Sequence, residues 1–341
     1  TQHSVKTLLE YGVQPDILVC RTERHLNDHL RNKIALFCNV DSSAVIESID
    51  TSSIYKVPLL MQEENLDRVV LKKIKASAKN PPKMKQWKAF IKKLESPRKT
   101  VEIGLVGKYV ELVDSYKSII ESLIHAGTVN DCKVNLRLIH SEHLDKNNVE
   151  EKLKGLRGVI VAPGFGGRGI EGKITAINHL RKNKIPFFGI CLGMQCAMIE
   201  FARNVLGLSE AHSTEMNPQT PYPIIDIMEE QKKIHIKGGT MRLGGYACKL
   251  DSSSKIFRIY GKELISERHR HRYEVNNTYL KQFENAGLKA TGTNPESGLV
   301  ETIELEDHPW FIGVQFHPEY KSTVDSPHPL FIDFIRASST N

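Results

Sequence analysis

Residues 185–195 read Ile-Pro-Phe-Phe-Gly-Ile-Cys-Leu-Gly-Met-Gln, and the predicted architecture extends outward from this run. An apolar run that includes a proline predicts a buried strand over residues 185–190. Beyond Cys191, apolar residues recur at helical spacing, which predicts a helix over residues 192–206. Gly189 and Gly193 stand two residues to either side of the cysteine. This pattern is typical of a nucleophile elbow in which sulfur is the attacking atom.

Cys191 has two interpretations. A helix N-terminus behind the sulfur favours the thiolate, which is the form that attacks, and the flanking glycines let the backbone turn sharply. The alternative is a structural cysteine at the end of a buried strand, which is the commoner role of an isolated cysteine. The two glycines and the change from strand to helix favour the nucleophile.

The composition limits the classes of protein. The chain has 341 residues, of which 40% are hydrophobic and 26% charged, with a formal net charge of +7. This length allows two domains with separate cores. The basic balance can indicate nucleic acid, but phosphate-bearing small substrates or a solvated basic linker explain it as well. No apolar run is long enough to span a membrane, and we expect neither a membrane nor nucleic acid as a partner.

Cysteine usage points to a reducing compartment. The six cysteines are scattered and form no C-x-x-C pair: Cys20, Cys38, Cys132, Cys191, Cys196 and Cys248. In a chain of this size the pattern argues against a disulfide framework and a structural zinc site. We therefore expect a cytoplasmic protein, in which a catalytic thiol stays usable.

Residues 1–72 are predicted to be part of an α/β domain. The expected elements are buried strands at 16–20 and 34–38, a charged helix between them and a helix at 66–75. Two strands give too small a sheet for a complete nucleotide-processing domain. Residues 73–100 are richer in lysine and proline and are predicted to be a linker around one amphipathic segment, 84–94.

A second domain is predicted over residues 101–338. Strands are expected at 101–107, 133–139 and 158–162, alternating with helices at 115–126, 148–156 and 172–181. This alternation predicts a mostly parallel sheet with helices on both faces. After residue 208 the pattern becomes more β-like, with antiparallel strands expected at 233–236, 246–249, 302–305 and 310–315.

The glycine-rich turn at residues 163–173 matches two phosphate motifs poorly. It satisfies G-x-G-x-x-G, but at the third strand of the domain rather than the first. It nearly satisfies a P-loop, yet Ile174 stands where a magnesium-binding Ser or Thr should be. We expect instead a row of backbone N–H groups aimed at a developing oxyanion. A merely tight loop is the alternative.

A cysteine nucleophile needs a base, and the base needs an orienting group. Among 14 histidines we choose His317, because an apolar strand ends at it and places its ring at the edge of the sheet. Glu319 follows two residues later and could hold the imidazole tautomer. Without the cysteine, His-x-Glu is more often a surface turn than a catalytic pair.

The run Glu-Arg-His-Arg-His-Arg-Tyr at residues 267–273 is strongly basic. It is one short run without repeated aromatic residues, which argues against a nucleic-acid surface. We expect it to line a pocket for a carboxylate or phosphate, with an arginine as a bidentate clamp. No partner cluster at ligand spacing supports a metal site.

The glycine turn, the run Gly-Ile-Cys-Leu-Gly-Met-Gln and the late His-Pro-Glu together resemble class I glutamine amidotransferase domains, which implies a flavodoxin-like α/β fold. Further motifs resemble the CTP synthases over essentially the whole chain. These motifs are Thr1-Gln2-His3-Ser4-Val5, Lys33-Ile34-Ala35-Leu36-Phe37-Cys38-Asn39-Val40, Ser53-Ile54-Tyr55, Ser213-Thr214-Glu215-Met216, Gly239-Thr240-Met241-Arg242-Leu243-Gly244 and the basic run with Glu274-Val275-Asn276. The first 72 residues then resemble the truncated end of a P-loop-like α/β synthase domain.

The resemblance implies roles for particular residues. Cys191 would be the nucleophile, His317 the base and acid, and Glu319 its orienter. Gly164 and Leu192 would supply the backbone of the oxyanion hole. Glutamine would be held by Gly164, Leu192, Gly193, Met194, Gln195, Glu215 and Arg272. An acidic Glu215 suits an α-ammonium group and Arg272 suits an α-carboxylate.

The resemblance also implies a ligase that makes CTP from UTP with ATP, Mg²⁺ and ammonia from glutamine, activated by GTP and assembled as a homotetramer. Thr1, Gln2, Lys33 and Thr51 match parts of the nucleotide sites. The P-loop and the magnesium carboxylates of the family have no counterpart in these residues, so we expect no metal site here and an incomplete synthase half.

The chain departs from the family at one turn, where the usual Val-Pro-Gly-Gly-Phe-Gly is Val161-Ala162-Pro163-Gly164-Phe165-Gly166. We expect a tolerated variant because the last three positions are kept. Two alternatives to the synthase remain: a stand-alone amidotransferase or γ-glutamyl hydrolase, and a non-catalytic nucleotide-binding or filament-forming module.

Overall fold

The computed structural model describes residues 1–78, 80–227 and 241–340. The chain divides into two units, Thr1–Ile91 and Lys92–Asn341. The division falls inside the predicted linker, and the domain boundaries drawn from the sequence stay a prediction. No helix in the described ranges combines the length and the apolar character needed to cross a bilayer.

The first unit is built on two parallel strands, β1 and β2, joined through a helix. Its elements are α1 (Gln2–Glu10), β1 (Leu18–Thr22), α2 (Asp28–Cys38), β2 (Val45–Ile49), α3 (Val57–Glu63) and α4 (Leu66–Lys73), followed by α5 (Lys85–Glu95) at the boundary. The predicted helix at 66–75 and the amphipathic segment at 84–94 are confirmed as α4 and α5.

The predicted strand at residues 34–38 is wrong, because these residues end helix α2. Parallel strands need a crossover connection, and α2 supplies it between β1 and β2. Its buried residues are spaced as on one helix face, whereas Leu36 and Phe37 are 80% and 63% exposed. The side chain of Asn27 caps the helix by accepting from the Leu30 N–H at 2.9 Å. The true second strand, β2, was not predicted.

The second unit begins with alternating strands and helices, as predicted. These elements are β3 (Lys99–Gly107), α6 (Lys117–Val129), β4 (Cys132–His140), α7 (Val149–Leu153), β5 (Gly158–Val161), α8 (Ile170–Lys182), β6 (Phe187–Ile190) and α9 (Leu192–Asn204). The elbow strand and its helix are therefore confirmed.

The remaining described part is richer in strands. It contains β7 (His212–Ser213), β8 (Pro223–Ile227), β9 (Arg242–Leu250), α10 (Lys255–Tyr260), β10 (Leu264–His271), β11 (Tyr273–Val275), α11 (Leu280–Asn285), β12 (Leu288–Thr293), β13 (Val300–Leu305), β14 (Phe311–Val314) and α12 (Pro329–Thr340). The predicted strand at 233–236 and the motif residues Gly239 and Thr240 lie outside the described residues.

A nine-stranded sheet has the order β10-β9-β12-β13-β14-β6-β5-β3-β4. Strands β4, β3, β5, β6 and β14 run parallel, and β13, β12, β9 and β10 extend the sheet antiparallel. Strand β14 was expected among the antiparallel strands. It pairs antiparallel with β13 but parallel with β6, so it continues the parallel core. Strands β11, β8 and β7 form a separate small sheet.

Helices cover both faces of the sheet, which confirms the predicted α/β fold. Residues of α7, α8 and α9 pack in one apolar core with Val106 of β3. Residues of α6, α10 and α12 pack in a second core with its neighbour Leu105. Because successive strand side chains point to opposite faces, β3 and β6 are buried on both sides. This burial holds the parallel strands in place and so positions the carboxyl edge of the sheet, where β5, β6 and β14 end.

Candidate active site

Cys191 occupies the sharp turn between β6 and α9. Its backbone has φ 52° and ψ −104°, a conformation that non-glycine residues rarely adopt. Its N–H donates to the Val314 carbonyl of β14 at 2.7 Å, and its own carbonyl accepts from the Gln195 N–H at 3.1 Å, which starts the helix. The strained turn is therefore held from the neighbouring strand and from α9, and it leaves the thiol at the carboxyl edge of the sheet.

The two glycines of the elbow are required by close backbone approach. A Cβ on Gly193 would lie 2.1 Å from the Val161 carbonyl oxygen at the end of β5. A Cβ on Gly189 would lie 2.9 Å from the backbone nitrogen of Met194. Any side chain at these positions would separate the strands from the first turn of α9, as the sequence predicted.

His317 lies just beyond β14, the strand that pairs with β6. Its Nδ1 lies 2.8 Å from Glu319 Oε1, and both side chains are buried. Its Nε2 makes no hydrogen bond within the described residues. Burial lowers the pKa of His317, but the sulfur of Cys191 and the Glu319 carboxylate outweigh burial and raise the pKa to about 11. The protonated imidazolium form of His317 is therefore favoured beside the sulfur of Cys191.

The glycine turn after β5 lies beside the elbow. A Cβ on Gly164 would lie 3.5 Å from Leu192 Cδ2, so the two predicted oxyanion-hole residues are neighbours. The Gly166 N–H donates to Glu215 Oε1 at 2.7 Å, and Lys108 Nζ donates to the Phe165 carbonyl. The turn is thus held by charged side chains on both sides.

Lys173 stands at the position that a lysine takes in the P-loop pattern. It is fully buried, and its Nζ donates to the Ala162 carbonyl at 2.6 Å. Burial lowers its pKa to about 8. This lysine therefore binds the backbone just before the glycine turn, which supports the rejection of a P-loop.

The predicted glutamine-binding residues fall in three places. Leu192, Gly193, Met194 and Gln195 form the buried first turn of α9, Glu215 contacts the glycine turn, and Arg272 lies partly buried between β10 and β11. The Gln195 amide donates to the Tyr273 carbonyl at 2.9 Å, which brings the helix close to the Arg272 segment. The Met194 side chain is buried, and a Cβ on Gly313 of β14 would lie 2.8 Å from it, so only its backbone can face a ligand.

The basic run at 267–273 alternates along β10. His269 and His271 point inward, with 2.8 Å between Nδ1 and Nε2, while Arg268 and Arg270 are exposed. Burial lowers the pKa of His269 to about 3 and also lowers that of His271, so both imidazoles are neutral. The side chains of this run are therefore partly exposed and partly buried in the core, and the role of Arg272 as a clamp stays a prediction.

Sequence reasoning missed a buried ion cluster behind these histidines. Arg242 forms ion pairs with Glu274 at 3.0 Å and with Glu301 at 2.8 Å. Burial raises the pKa of Glu274 to about 8 and raises that of Glu301, while the two carboxylates raise the pKa of Arg242 despite its own burial. Nothing in the sequence pairs these residues, because they come from three separate strands.

Gln315 was also missed. It lies between β14 and His317, is fully buried, and places its Nε2 3.6 Å from Cys191 Sγ. The sequence signal that could have identified Gln315 is a polar residue inside the apolar run that ends at His317.

The predicted nucleotide-binding residues all lie in the first unit. Thr1 and Gln2 stand at the start of α1, Lys33 on α2, and Thr51 just after β2. Three of them are exposed and Thr51 is partly buried. Within the described ranges no group of three or more His, Cys, Asp or Glu is placed so that it could hold a metal ion. The nucleotide assignments stay predictions.

Two family profiles and a set of known relatives match this chain. The family profile for glutamine amidotransferase class-I matches residues 111–337, and the profile for the CTP synthase N-terminus matches residues 1–76. A CTP synthase of Flavobacterium johnsoniae is 61% identical over 99% of this chain, and one of Clostridium acetobutylicum is 53% identical over 100% of it. The chain covers 63% of the length of each relative.

A solved structure extends the comparison to three dimensions. The glutaminase domain of a Trypanosoma brucei CTPS, solved with bound acivicin, matches with a TM-score of 0.67 and 35% identity. The match covers 71% of this chain and 94% of that domain. The chain therefore belongs to the glutamine amidotransferase class-I family, in the group formed by the CTP synthases.

Proposed function

We propose that residues 101–338 form a glutaminase in which Cys191, His317 and Glu319 are the catalytic residues. One observation carries the proposal: the thiol and the imidazole lie just beyond the carboxyl ends of two adjacent parallel strands, and a carboxylate contacts the Nδ1 of the ring. This arrangement matches the roles of nucleophile, base and orienter. Family membership supports the same reaction.

The first half-reaction forms a thioester. The Cys191 thiolate attacks the side-chain amide carbon of glutamine, and the carbonyl oxygen becomes an oxyanion bound by the Gly164 and Leu192 N–H groups. His317 donates its Nε2 proton to the leaving nitrogen, so ammonia departs when the C–N bond breaks. The ring is then neutral, and Glu319 keeps its Nδ1 protonated.

The second half-reaction releases glutamate. Neutral His317 takes a proton from water, and the hydroxide attacks the thioester carbon in the same oxyanion hole. The C–S bond breaks and returns the thiolate beside the imidazolium. Glu215 and Arg272 hold the α-ammonium and α-carboxylate of the substrate, and Glu215 ties this binding to the glycine turn through Gly166.

Glutamate release by this chain tests the proposal. We expect release from glutamine that is lost in Cys191→Ala, while the thermal unfolding midpoint changes little. No release from a folded wild-type chain that also remains inactive when extended to the length of its relatives would overturn the proposal.

For the whole protein, we propose the CTP synthase reaction in a reducing cytoplasm. ATP would phosphorylate the 4-oxygen of UTP, and ammonia from the glutaminase would then displace that phosphate. Mg²⁺ would be bound by residues other than those described here. GTP activation and a homotetramer belong to the same proposal. The N-terminal profile match and the relatives support it. CTP formation by the extended chain, with ATP, Mg²⁺, UTP, GTP and glutamine, is the test.

A further inference from the structure

Gln315 is the direct neighbour of the nucleophile across the sheet. Strands β14 and β6 pair in register so that Val314 lies opposite Ile190, and the next residues along the two strands are Gln315 and Cys191. The Gln315 N–H donates to the Glu301 carbonyl at 2.8 Å, which holds its backbone in the sheet. Its side-chain Nε2 then lies 3.6 Å from Cys191 Sγ, a hydrogen-bonding distance for sulfur.

The orientation of the Gln315 amide follows from a backbone carbonyl. Gln195 has one amide nitrogen within reach of both the Tyr273 carbonyl, at 2.9 Å, and Gln315 Oε1, at 3.1 Å. A carbonyl can only accept, so the Gln195 nitrogen must face it. The same nitrogen then requires an acceptor from Gln315. This fixes the oxygen of Gln315 toward Gln195 and leaves its N–H donor toward the sulfur.

A donor at this place acts on the charge state of the sulfur. A thiolate accepts hydrogen bonds far better than a thiol does, so an N–H held against it favours the charged form. The charged groups that act on the same sulfur are the imidazolium of His317 beyond β14 and the buried ammonium of Lys173 on α8. Gln315 differs from both because it is neutral, so its effect does not vary with its own ionisation.

We propose that Gln315 is a second partner of the Cys191 thiolate, which it stabilises through its amide N–H while Gln195 on the first turn of α9 fixes that amide in place. The inference rests on the proposed glutaminase for its catalytic meaning. It adds a link from the predicted glutamine-binding helix to the nucleophile that does not pass through His317.

The test compares wild type with Gln315→Met, which keeps the side-chain length but has no N–H donor. The rate of iodoacetamide modification at Cys191 is followed from pH 5 to 10 by peptide mass spectrometry, beside glutamate release. We expect the midpoint of the pH profile to rise by about one pH unit, the shift that a charge-assisted hydrogen bond gives. We also expect kcat to fall about tenfold with a smaller change in KM.

Gln315→Glu serves as the second variant, because it keeps an acceptor for Gln195 but presents a carboxylate oxygen to the sulfur. We expect a larger upward shift of the midpoint than in Gln315→Met. A merely structural role would lower the thermal unfolding midpoint and leave the pH profile in place. An unchanged profile and kcat in either folded variant, with an active wild type, would overturn the inference while the proposed function stands. If the pH profile shifts in the variants but the wild type releases no glutamate, the inference about Gln315 stands and the proposed function fails.

Discussion

Nδ1 of His317 and Oε1 of Glu319 lie 2.8 Å apart in a buried environment, with Pro318 between the two residues at the start of a short 3-10 helix. This contact holds the ring with Nε2 available toward Cys191. It also raises the pKa of His317, together with the sulfur. The pair therefore accounts for both the orientation and the charge of the proposed base.

Replacing Glu319 by glutamine should remove the charge while keeping the shape. We expect kcat for glutamate release to fall by about 10²- to 10⁴-fold, the usual contribution of a general acid or base. Without the carboxylate the pKa of His317 falls, so the imidazolium is lost at lower pH and the alkaline limb of the pH–rate profile moves to lower pH. Glu306→Gln, on an exposed side chain, is the control and should leave both unchanged. A kcat within about twofold of wild type in Glu319→Gln would contradict the assignment.

Gly193→Ala tests the close approach at the elbow. Its Cβ would lie 2.1 Å from the Val161 carbonyl oxygen, so β5 and α9 must separate. We expect a loss of about 1–3 kcal/mol in the free energy of unfolding, with loss of glutamate release. Gly245→Ala on β9 is the matched control, because its Cβ meets only Ser266 Oγ at 3.4 Å. Equal denaturant midpoints for the two variants would argue against the predicted clash.

Arg242→Met tests the buried ion cluster. The substitution leaves the carboxyl groups of Glu274 and Glu301 buried without the guanidinium that donates to both of them. We expect the free energy of unfolding to drop by about 3–5 kcal/mol, as when one partner of a buried pair is removed. Arg270→Met removes an exposed arginine from the adjacent strand and should change stability by less than about 0.5 kcal/mol. Similar urea midpoints for both variants would show that the cluster contributes no more than a surface charge.

The buried His308, which is not one of the proposed catalytic residues, should make the free energy of unfolding sensitive to acid. It is buried, its Nδ1 accepts from the Trp310 N–H at 3.2 Å, and burial lowers its pKa to about 4. The unfolded chain binds this proton below about pH 6.5, so stability from this group is lost as pH falls from 6.5 toward 4. At pH 5 the loss is about 2 kcal/mol.

His308→Gln keeps polar groups at the site but cannot titrate. Between pH 7 and pH 5 we expect the free energy of unfolding to fall less in this variant than in wild type. The difference between the two falls should be about 2 kcal/mol. His3→Gln, at an exposed histidine, should keep the wild-type slope. Parallel slopes for wild type and His308→Gln in urea titrations would contradict a neutral buried ring.

The sequence predicted the parts of the fold that depend on local pattern. The elbow at Cys191 could be found because strand, glycines and helix all lie within a few residues, and the histidine because an apolar strand runs into it. The strand at 34–38 was wrong because five apolar residues in a row fit either a strand or one buried helix face. Only the need for a crossover between β1 and β2 decides between them, and β2 had not been recognised.

The site residues that were not predicted from the sequence were missed for a different reason. Gln315 and Arg242 act on partners that are distant in sequence and that they meet only once the strands are paired. A single sequence gives the residue types but not the strand order, such as β14 beside β6, that brings residues like these to their partners. The alternate burial of the basic run at 267–273 could not be predicted for a related reason, because it depends on which face of β10 packs inward.

The most direct test of the account is where an electrophilic glutamine analogue, such as a chloroketone, attaches to the chain. Peptide mass spectrometry separates Cys191 from Cys196, a fully buried thiol whose pKa burial raises to about 11. We predict one adduct per chain, at Cys191, whose formation glutamine slows and His317→Ala prevents. An adduct on another cysteine, or equal labelling of Cys191 in the presence and absence of glutamine, would contradict the assignment of this thiol as the glutaminase nucleophile.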